Sequence, residues 1–445
     1  MGSRSTSSER SDTSPSPLLE RGEDGGVLRE RDFRWLLFGQ FAAQGADGLA
    51  QAAFADVLIL EPLTQGTPEK ILQLFALTLL PYSLIAPFLG VFVDRWSRRG
   101  LLVWTNVLRA VLLVTLPLWA PLLGGDLPLY VATLTLLGLG RLFLTTKGAV
   151  LPVLLHEHHL LQGNSLSSGG GMIAALGGGV CGIIAVGVFG YETAFVVAGF
   201  LYVASALMCR VISSSLSHPH PKVKKLSAHV MELTIDLGDG FREIWTRVHA
   251  RLPLIGIFLL RTIAMFVAIS AILFIKIEFE PAERFGRLSS AALALGAAGV
   301  GAFAGAVTAP FLGRRFLNAG LITAGFAISS VGIVLLGGIA NTPAVMGLTF
   351  FGGYGAFVTK VAVDAQVQEA LPDEYRGRAF ALYDILYNLA SVAAGVIMVV
   401  FFGIPGRADL VLAGAVALVI TAVMAWAMRR AGMPLLVTAV VAPRA

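Results

Sequence analysis

The sequence predicts an all-α membrane protein with twelve transmembrane helices, arranged as two pseudo-symmetric six-helix bundles. Of its 445 residues, 56% are hydrophobic and only 14% are charged, whereas a soluble protein carries about 25% charged residues. Twelve apolar runs reach the length of about 20 residues that a membrane-spanning helix needs. The word APFLG occurs twice, at residues 86–90 and 309–313. One copy in each half of the chain indicates a duplication.

The predicted helices follow one another through short connections, with one exception in the centre of the chain. They cover about residues 33–59, 71–93, 101–121, 128–150, 164–189, 191–212, 253–277, 289–312, 317–339, 343–363, 380–402 and 410–428. The long connection, residues 213–252, separates six helices from six. We therefore expect an N-terminal bundle over residues 31–212 and a C-terminal bundle over residues 253–430, with cytoplasmic tails at residues 1–30 and 431–445. The first tail is polar and is expected to be disordered.

The distribution of basic residues predicts the orientation in the membrane. Most of the 33 Lys and Arg residues lie in the tails and in every second connection, which places both termini in the cytoplasm. The net charge of +5 therefore reflects topology rather than nucleic-acid binding. In the central connection, Lys222, Lys224 and Lys225 precede apolar residues at helical spacing. This pattern predicts an amphipathic helix on the inner leaflet or against the bundle, or a linker helix that touches no lipid.

The connection after the first APFLG copy carries a recognisable motif. It reads Gly90-Val-Phe-Val-Asp94-Arg95-Trp-Ser-Arg98-Arg99, and Gly313-Arg314-Arg315 stands at the equivalent place in the second half. The motif resembles the signature of the loop between the second and third helices in the major facilitator superfamily. The resemblance extends over residues 30 to 430. It implies two six-helix halves that work by alternating access, usually in a monomer.

The same resemblance implies a conformational latch on the cytoplasmic side. The latch residues would be Gly90, Asp94, Arg95, Arg98 and Arg99, facing Arg376 and Arg378 at the start of the eleventh helix. The glycine permits a tight turn, and the carboxylate can accept hydrogen bonds at a helix start. The alternative is that the arginines only set the orientation.

Two further likenesses concern the branch of the superfamily and the packing of its halves. Residues 376–380, RGRAF, resemble bacterial exporters of the macrolide and siderophore type, and lysophospholipid transporters are similar. The glycine-rich stretch of the fifth helix resembles proton-coupled antiporters but lacks their proline. Gly178 and Gly182, with Gly301 and Gly305 on the eighth helix, have the GxxxG spacing of close helix contacts. We expect them to pack the two halves together.

Polar residues inside a predicted span are candidates for function because they are costly in hydrocarbon. On the first helix, Gln40, Gln44, Asp47 and Gln51 share one face. The superfamily resemblance places this helix at the central cavity. We hypothesise that Asp47 binds a proton or a cationic substrate group. The alternative is a structural ion pair or hydrogen bond.

Other deep residues are assigned by the same argument. Arg141 on the fourth helix is expected to pair with Asp47 or to hold an anionic substrate group, and Arg261 is a second cationic candidate. On the eleventh helix Asp384, Tyr387 and Asn388 form a binding or gating face, or else serve the latch. We expect Arg109, on the third helix, to support the loop or to reach the membrane surface.

The sequence also predicts what kind of activity is absent. No nucleotide-binding loop and no nucleophile–base pattern occurs, so we expect neither an enzyme nor an ATP-driven pump. The run His156-Glu157-His158-His159 is read as a solvated loop rather than a metal site, and no cofactor is expected. The prediction is a proton-driven exporter of an amphipathic or hydrophobic small molecule in a bacterial inner membrane. A lipid flippase, an uptake symporter and a non-transporting receptor or scaffold are the alternatives.

Overall fold

The computed structural model describes residues 27–60, 68–85, 88, 96–155, 159–213, 226–278, 284–339, 341–402 and 406–436. Thirteen α-helices lie in these residues. They are α1 Arg31–Ala55, α2 Pro68–Ile85, α3 Arg98–Leu123, α4 Leu127–Leu154, α5 Leu160–Phe189, α6 Tyr191–Val211, α7 Leu226–Thr246, α8 Val248–Glu278, α9 Arg284–Leu312, α10 Asn318–Leu336, α11 Thr342–Ala370, α12 Asp373–Ile397 and α13 Arg407–Arg430. A π-helical turn extends α1 over Asp56–Leu60, and another extends α12 over Met398–Phe402. The all-α prediction is confirmed.

Nine of the described helices are long and apolar enough to cross a membrane: α3, α4, α5, α6, α8, α10, α11, α12 and α13. Two more, α2 and α9, contain shorter apolar stretches, Leu72–Ser83 and Gly296–Leu312. The 25-residue α1 belongs to neither group, and it carries the polar face of Gln40, Gln44, Asp47 and Gln51. Because each predicted span overlaps one of these described helices, the structure is consistent with twelve spans.

The two halves, α1–α6 and α8–α13, correspond helix by helix in chain order, and corresponding helices form the same packed pairs. In the first half α1 contacts α5 and α6, and α3 contacts α4 and α6. In the second half α8 contacts α12 and α13, and α10 contacts α11 and α13. The most extensive contacts between the halves, among the described helices, are those of α2 with α12 and of α5 with α9. The name 'entry face' is used for the end of the bundle at which α1 and α3 begin.

Close contacts at glycines show how tightly the helices pack, and they correct one prediction. A Cβ atom on Gly178 would lie 2.0 Å from the carbonyl oxygen of Gly45 on α1. One on Gly301 would lie 2.1 Å from the carbonyl oxygen of Phe350 on α11. These glycines therefore pack helices within each half, and the prediction that they pack the halves together is wrong. Spacing alone indicates close approach but does not name the partner helix.

The linker helix α7 forms as predicted and packs against the second half. Ile244 is buried in the core that α8 and α12 share, and the Cβ position of Gly240 lies 2.7 Å from the Cβ of Arg378. Phe241 and Trp245 lie on another side of α7, exposed and stacked with ring centroids 5.8 Å apart. Contact of α7 with the bundle is one of the arrangements that the sequence predicted.

Candidate functional site

Asp47 lies in a buried polar cluster inside the first half. Nη1 of Arg109 donates a hydrogen bond to Asp47 Oδ1 at 2.9 Å, and the Tyr202 hydroxyl donates to the same oxygen at 2.5 Å. Arg109 and Tyr202 are fully buried. Both expectations for Arg109 are therefore wrong, because its guanidinium is an interior charge paired with a carboxylate. The predicted pairing of Asp47 with Arg141 is also wrong.

A second layer of side chains fixes the guanidinium of Arg109. Its Nη2 donates to Oδ1 of Asn106 at 2.5 Å, and Asn106 Nδ2 donates to Ser205 Oγ at 2.9 Å. Ser205 in turn donates to the Gly39 carbonyl oxygen at 2.7 Å. The guanidinium lies 4.3 Å from the centroid of the Tyr202 ring. Helices α1, α3 and α6 are thus joined by one network, which can hold Asp47 in place.

The glutamines near the start of α1 form a separate network with α4 and α5. Gln40 Nε2 donates to Gln44 Oε1 at 2.6 Å and to the Ser167 carbonyl oxygen at 2.8 Å. Ser167 Oγ donates to Gln40 Oε1 at 2.7 Å and accepts a hydrogen bond from Lys147 Nζ at 2.9 Å. Gln44 thus belongs to this inner network, whereas Gln51 lines the cavity described next.

A cavity of about 430 Å³ opens between α1, α2 and α4. Most of its lining is apolar, including Phe54, Leu58, Leu74, Phe75, Leu79, Leu136, Leu137 and Leu144. Its polar lining consists of Asp47, Gln51, Thr78, Tyr82, Thr133 and Arg141. An apolar space with a few polar groups is the usual form of a small-molecule site.

Arg141 connects this cavity to the second half of the chain. Its Nη2 donates to Oδ2 of Asp384 on α12, and the two side chains are 40% and 33% exposed. Tyr82 lies within electrostatic range of both groups. Asn388 Nδ2 donates a hydrogen bond to the backbone carbonyl oxygen of Asp384 at 2.9 Å. The predicted Arg141 and Asp384 therefore meet each other across the two halves.

A group of charged and aromatic side chains continues from Asp384 into the second half. Arg261 on α8 lies 4.4 Å from the centroid of the Tyr387 ring, which stacks on Tyr383 with centroids 6.0 Å apart. Lys360 on α11 pairs with Asp364 at 2.7 Å and lies 5.6 Å from the centroid of the Tyr383 ring. Asp384 is within electrostatic range of both Lys360 and Asp364. The predicted Arg261 and Tyr387 thus belong to one cluster with Asp384.

Three charged residues of this region were missed in the sequence: Lys147, Lys360 and Asp364. A second internal repeat could have revealed the lysines. Residues 146–150 read TKGAV and residues 359–363 read TKVAV, so four of five letters agree. The first copy lies on α4 and the second on α11. Asn106 with Arg109, and Tyr202 with Ser205, carried a weaker signal, polar pairs three residues apart on otherwise apolar helices.

The latch prediction is only partly covered by the described residues. Gly90, Asp94 and Arg95, together with the side chain of Arg376, lie outside them. Arg98 donates to the Ala149 carbonyl oxygen at 3.1 Å, and Arg99 donates to that of Arg210 at 2.5 Å. These contacts join the start of α3 to α4 and α6 on the entry face.

At the start of α12, Arg378 packs over the Tyr375 ring, with its guanidinium 5.3 Å from the centroid. The meeting of Asp94 with this helix stays a prediction. Of the histidine run, residues 156–158 also fall outside the described part. Within the described part, no three His, Cys, Asp or Glu side chains come together as a metal site would require.

Comparison with known proteins identifies the sequence family. The profile of the Major Facilitator Superfamily matches residues 36–395. An uncharacterized MFS-type transporter of Mycobacterium tuberculosis is 28% identical over 360 residues, covering 80% of this chain and 81% of the relative. An uncharacterized protein of Mycobacterium leprae is 25% identical over 395 residues, covering 83% and 66%.

Solved structures of transporters share the fold. A POT family transporter in complex with 5-aminolevulinic acid superposes with a TM-score of 0.68 at 12% identity, over 89% of this chain and 95% of that one. The nucleoside transporter NupG superposes with a TM-score of 0.61 at 14% identity, over 90% and 98%. At such low identity the likeness concerns the fold alone.

Proposed function

Because this chain belongs to the major facilitator superfamily of membrane transporters, we propose that it is a secondary active transporter that uses the proton gradient to export an amphipathic or hydrophobic small molecule. The family and the apolar helices make it an integral membrane protein. The bacterial inner membrane, cytoplasmic termini and a monomeric state belong to the proposal, as does the resemblance to macrolide and siderophore exporters. Transport would proceed by alternating access around the cavity.

One observation carries the proposal: the apolar cavity ends at an ion pair between the two halves. The walls from α1, α2 and α4 suit the hydrocarbon part of a substrate, and Arg141 stands at the boundary with α12. If the halves rock apart in alternating access, this pair must separate. Substrate and pair therefore lie close enough for binding to alter the balance between conformations.

The geometry favours Asp384 over Asp47 as the group that couples protons to movement. Asp47 is held by a fully buried arginine and a fully buried tyrosine of its own half. Asp384 is one-third exposed and bonded across the halves. Protonation of Asp384 would remove its attraction for Arg141 and release the contact, whereas protonation of Asp47 would disturb the interior of one half.

The proposal is tested by counterflow in proteoliposomes with an imposed proton gradient. Labelled amphipathic drugs, siderophores and lysophospholipids are offered to the wild type and to Asp47→Asn, Asp384→Asn and Asp239→Asn. Asp239 is exposed on α7 and serves as the matched control. We expect gradient-dependent movement of one compound class in the wild type and control, a loss of at least about tenfold in Asp384→Asn, and reduced protein yield in Asp47→Asn.

Other outcomes separate the alternatives. Movement that ignores the gradient and is limited to lysophospholipids would replace the proposal with a lipid flippase. Gradient-driven accumulation in the opposite direction would indicate an uptake symporter. If no compound moves and the yield of Asp47→Asn equals that of the wild type, a receptor or scaffold would be the better account.

A further inference from the structure

The charges deep in the described helices do not balance. Among described residues the interior cations are Arg109, Arg141, Lys147, Arg261 and Lys360, and the carboxylates in reach of them are Asp47, Asp364 and Asp384. A further carboxylate, Asp56, lies nine residues beyond Asp47 at the end of α1, about 13 Å along the helix axis. The three ion pairs use all three carboxylates, so two cations are left over.

The two cations left over are Lys147 and Arg261. Lys147 donates to a serine hydroxyl, and no carboxylate of the described residues lies within ion-pair distance of it. Arg261 stacks on Tyr387, and its buried Nε atom has no hydrogen-bond partner among the described residues. Cations away from bulk water are costly unless an anion or other acceptors compensate them. Both positions therefore favour a negatively charged ligand.

The repeated lysines extend this positive character to both halves. Lys147 and Lys360 occupy equivalent places in the TKGAV and TKVAV repeats on α4 and α11. Lys147 lies six residues beyond Arg141, about 9 Å along the axis of α4. Lys360 and Arg261 both neighbour the Tyr383–Tyr387 stack. Cations from α4, α8 and α11 thus stand around the boundary between the halves.

We propose that this transporter's substrate is an anionic amphipath, whose phosphate or carboxylate group binds between Arg141, Arg261 and Lys360. Its hydrocarbon part lies in the apolar cavity of α1, α2 and α4, and Lys147 adds positive charge along the path toward the entry face. This inference rests on the proposed transport function and narrows its substrate class. It replaces the hypothesis of a cationic substrate group at Asp47, because that carboxylate is already occupied by Arg109 and Tyr202.

Binding of the anion also explains how the substrate can act on the contact between the halves. Among the residues that the structure describes, Asp384 is the one carboxylate partner of Arg141. An anionic group that approaches Arg141 competes with Asp384 for the same guanidinium. Binding therefore weakens the one described ion pair that joins the two halves. The anion then binds more tightly to the conformation in which the halves are apart, and this difference in affinity shifts the equilibrium toward that conformation.

The test is equilibrium binding to the full chain in nanodiscs of neutral phosphatidylcholine, with labelled dodecyl phosphate as the probe. Dodecanoate, dodecyltrimethylammonium and dodecanol compete with it. We expect dodecanoate to displace the probe at concentrations at least about tenfold lower than the ammonium compound does, a difference of about 1.4 kcal/mol. A second series with phosphatidylglycerol in the nanodisc tests the lipid headgroup as a source of the anion, because an anionic lipid would lower the apparent affinity.

Variants connect the charge preference to the named residues. Arg261→Gln and Lys360→Gln should each weaken probe binding by about tenfold or more and leave dodecanol binding unchanged, while Arg261→Lys and Lys360→Arg should retain most of the affinity. Lys147→Gln, which removes a charge beside the path and not in the binding position, should weaken probe binding by less than that. Arg429→Gln removes one exposed arginine at the end of α13 and should bind as the wild type. Gel filtration of every variant confirms that it is folded.

Two results would overturn the inference: equal displacement by anionic and cationic competitors, or a preference for the cation. Selective binding of anions without gradient-driven movement would leave this site standing and refute the transport proposal. Gradient-driven movement of cationic compounds would leave the transport proposal standing and refute the anionic substrate site. The failures of the two proposals are therefore distinguishable.

Discussion

Replacing Arg109 by glutamine should strongly destabilise the first half. The guanidinium is 0% exposed, pairs with Asp47 at 2.9 Å and also donates to Asn106. Glutamine would leave the Asp47 carboxylate with the Tyr202 hydroxyl as its remaining described donor. Removing one partner of a buried ion pair costs about 3–5 kcal/mol, because the other charge stays uncompensated. For a cooperative unit the size of one half, 1 kcal/mol lowers Tm by about 2–4 °C, so we expect a fall of roughly 6–20 °C.

The assay is thermal unfolding of purified protein in one detergent at one scan rate, followed by loss of the gel-filtration peak. The set contains the wild type, Arg109→Gln, Asp47→Asn, the double variant and the surface control Arg242→Gln. Arg242 is exposed on α7, so its substitution should change stability by less than about 0.5 kcal/mol. The double variant should be more stable than the sum of the single losses predicts, by about 0.5–3 kcal/mol, because it removes both charges together.

Two results would refute this reasoning. If Arg109→Gln unfolds within a degree or two of the control, the guanidinium is not compensating a charged Asp47. If the losses of the two single variants simply add in the double variant, the two side chains do not interact in the folded protein. Either outcome would also remove the reason for preferring Asp384 to Asp47 as the coupling group.

The remaining predictions concern packing and hydrogen bonding in the same bundle. Gly178→Ala places a Cβ atom 2.0 Å from the Gly45 carbonyl oxygen and should lower the free energy of unfolding by about 1–3 kcal/mol. Gly177→Ala, whose Cβ meets nothing within 4 Å, should be neutral or slightly stabilising. Equal Tm values for the two variants would contradict the contact between α1 and α5. Gly301→Ala against Gly296→Ala is the same comparison in the second half, and thermal unfolding measures both. Tyr202→Phe removes a hydrogen bond to the Asp47 carboxylate and should cost about 1.5–3 kcal/mol in the same assay; an unchanged Tm would mean that the hydroxyl does not bond to a charged group.

Helix positions were predictable because the signal for a spanning helix is local. Each of the twelve apolar runs overlaps a helix of the described residues, and the central helix α7 was expected from its spacing. Length and apolar composition are enough for this, since every backbone group in a membrane must be bonded within its own helix. The family resemblance, read from the loop after α2, is confirmed by the family match over residues 36–395.

Side-chain partners were not predictable in the same way, because they depend on how helices face one another. The face of α1 that carries Asp47 was correctly identified as polar, but its partner was assigned to α4 instead of α3. Arg109 was expected to support the loop or to reach the membrane surface, because the third helix is usually peripheral in the superfamily that the sequence resembles. Its burial follows from the packing of α3 on α6, which brings the Tyr202 ring to Arg109 and Ser205 to the neighbouring Asn106. Two signals were in the sequence and unused: the repeat that contains Lys147 and Lys360, and the polar pairs Asn106 with Arg109 and Tyr202 with Ser205.

The most direct test is a reversible disulfide across the contact between the two halves, placed so that Arg141 and Asp384 are unchanged. Leu72→Cys on α2 and Gly395→Cys on α12 are combined in a chain whose Cys181 and Cys209 are replaced by serine. The Cβ position of Gly395 lies 3.5 Å from Leu72 Cβ, which is within the range of a disulfide. We expect transport in proteoliposomes to stop when the disulfide forms and to return when a reductant cleaves it. Continued transport with the two positions joined would contradict the claim that the halves separate in each cycle.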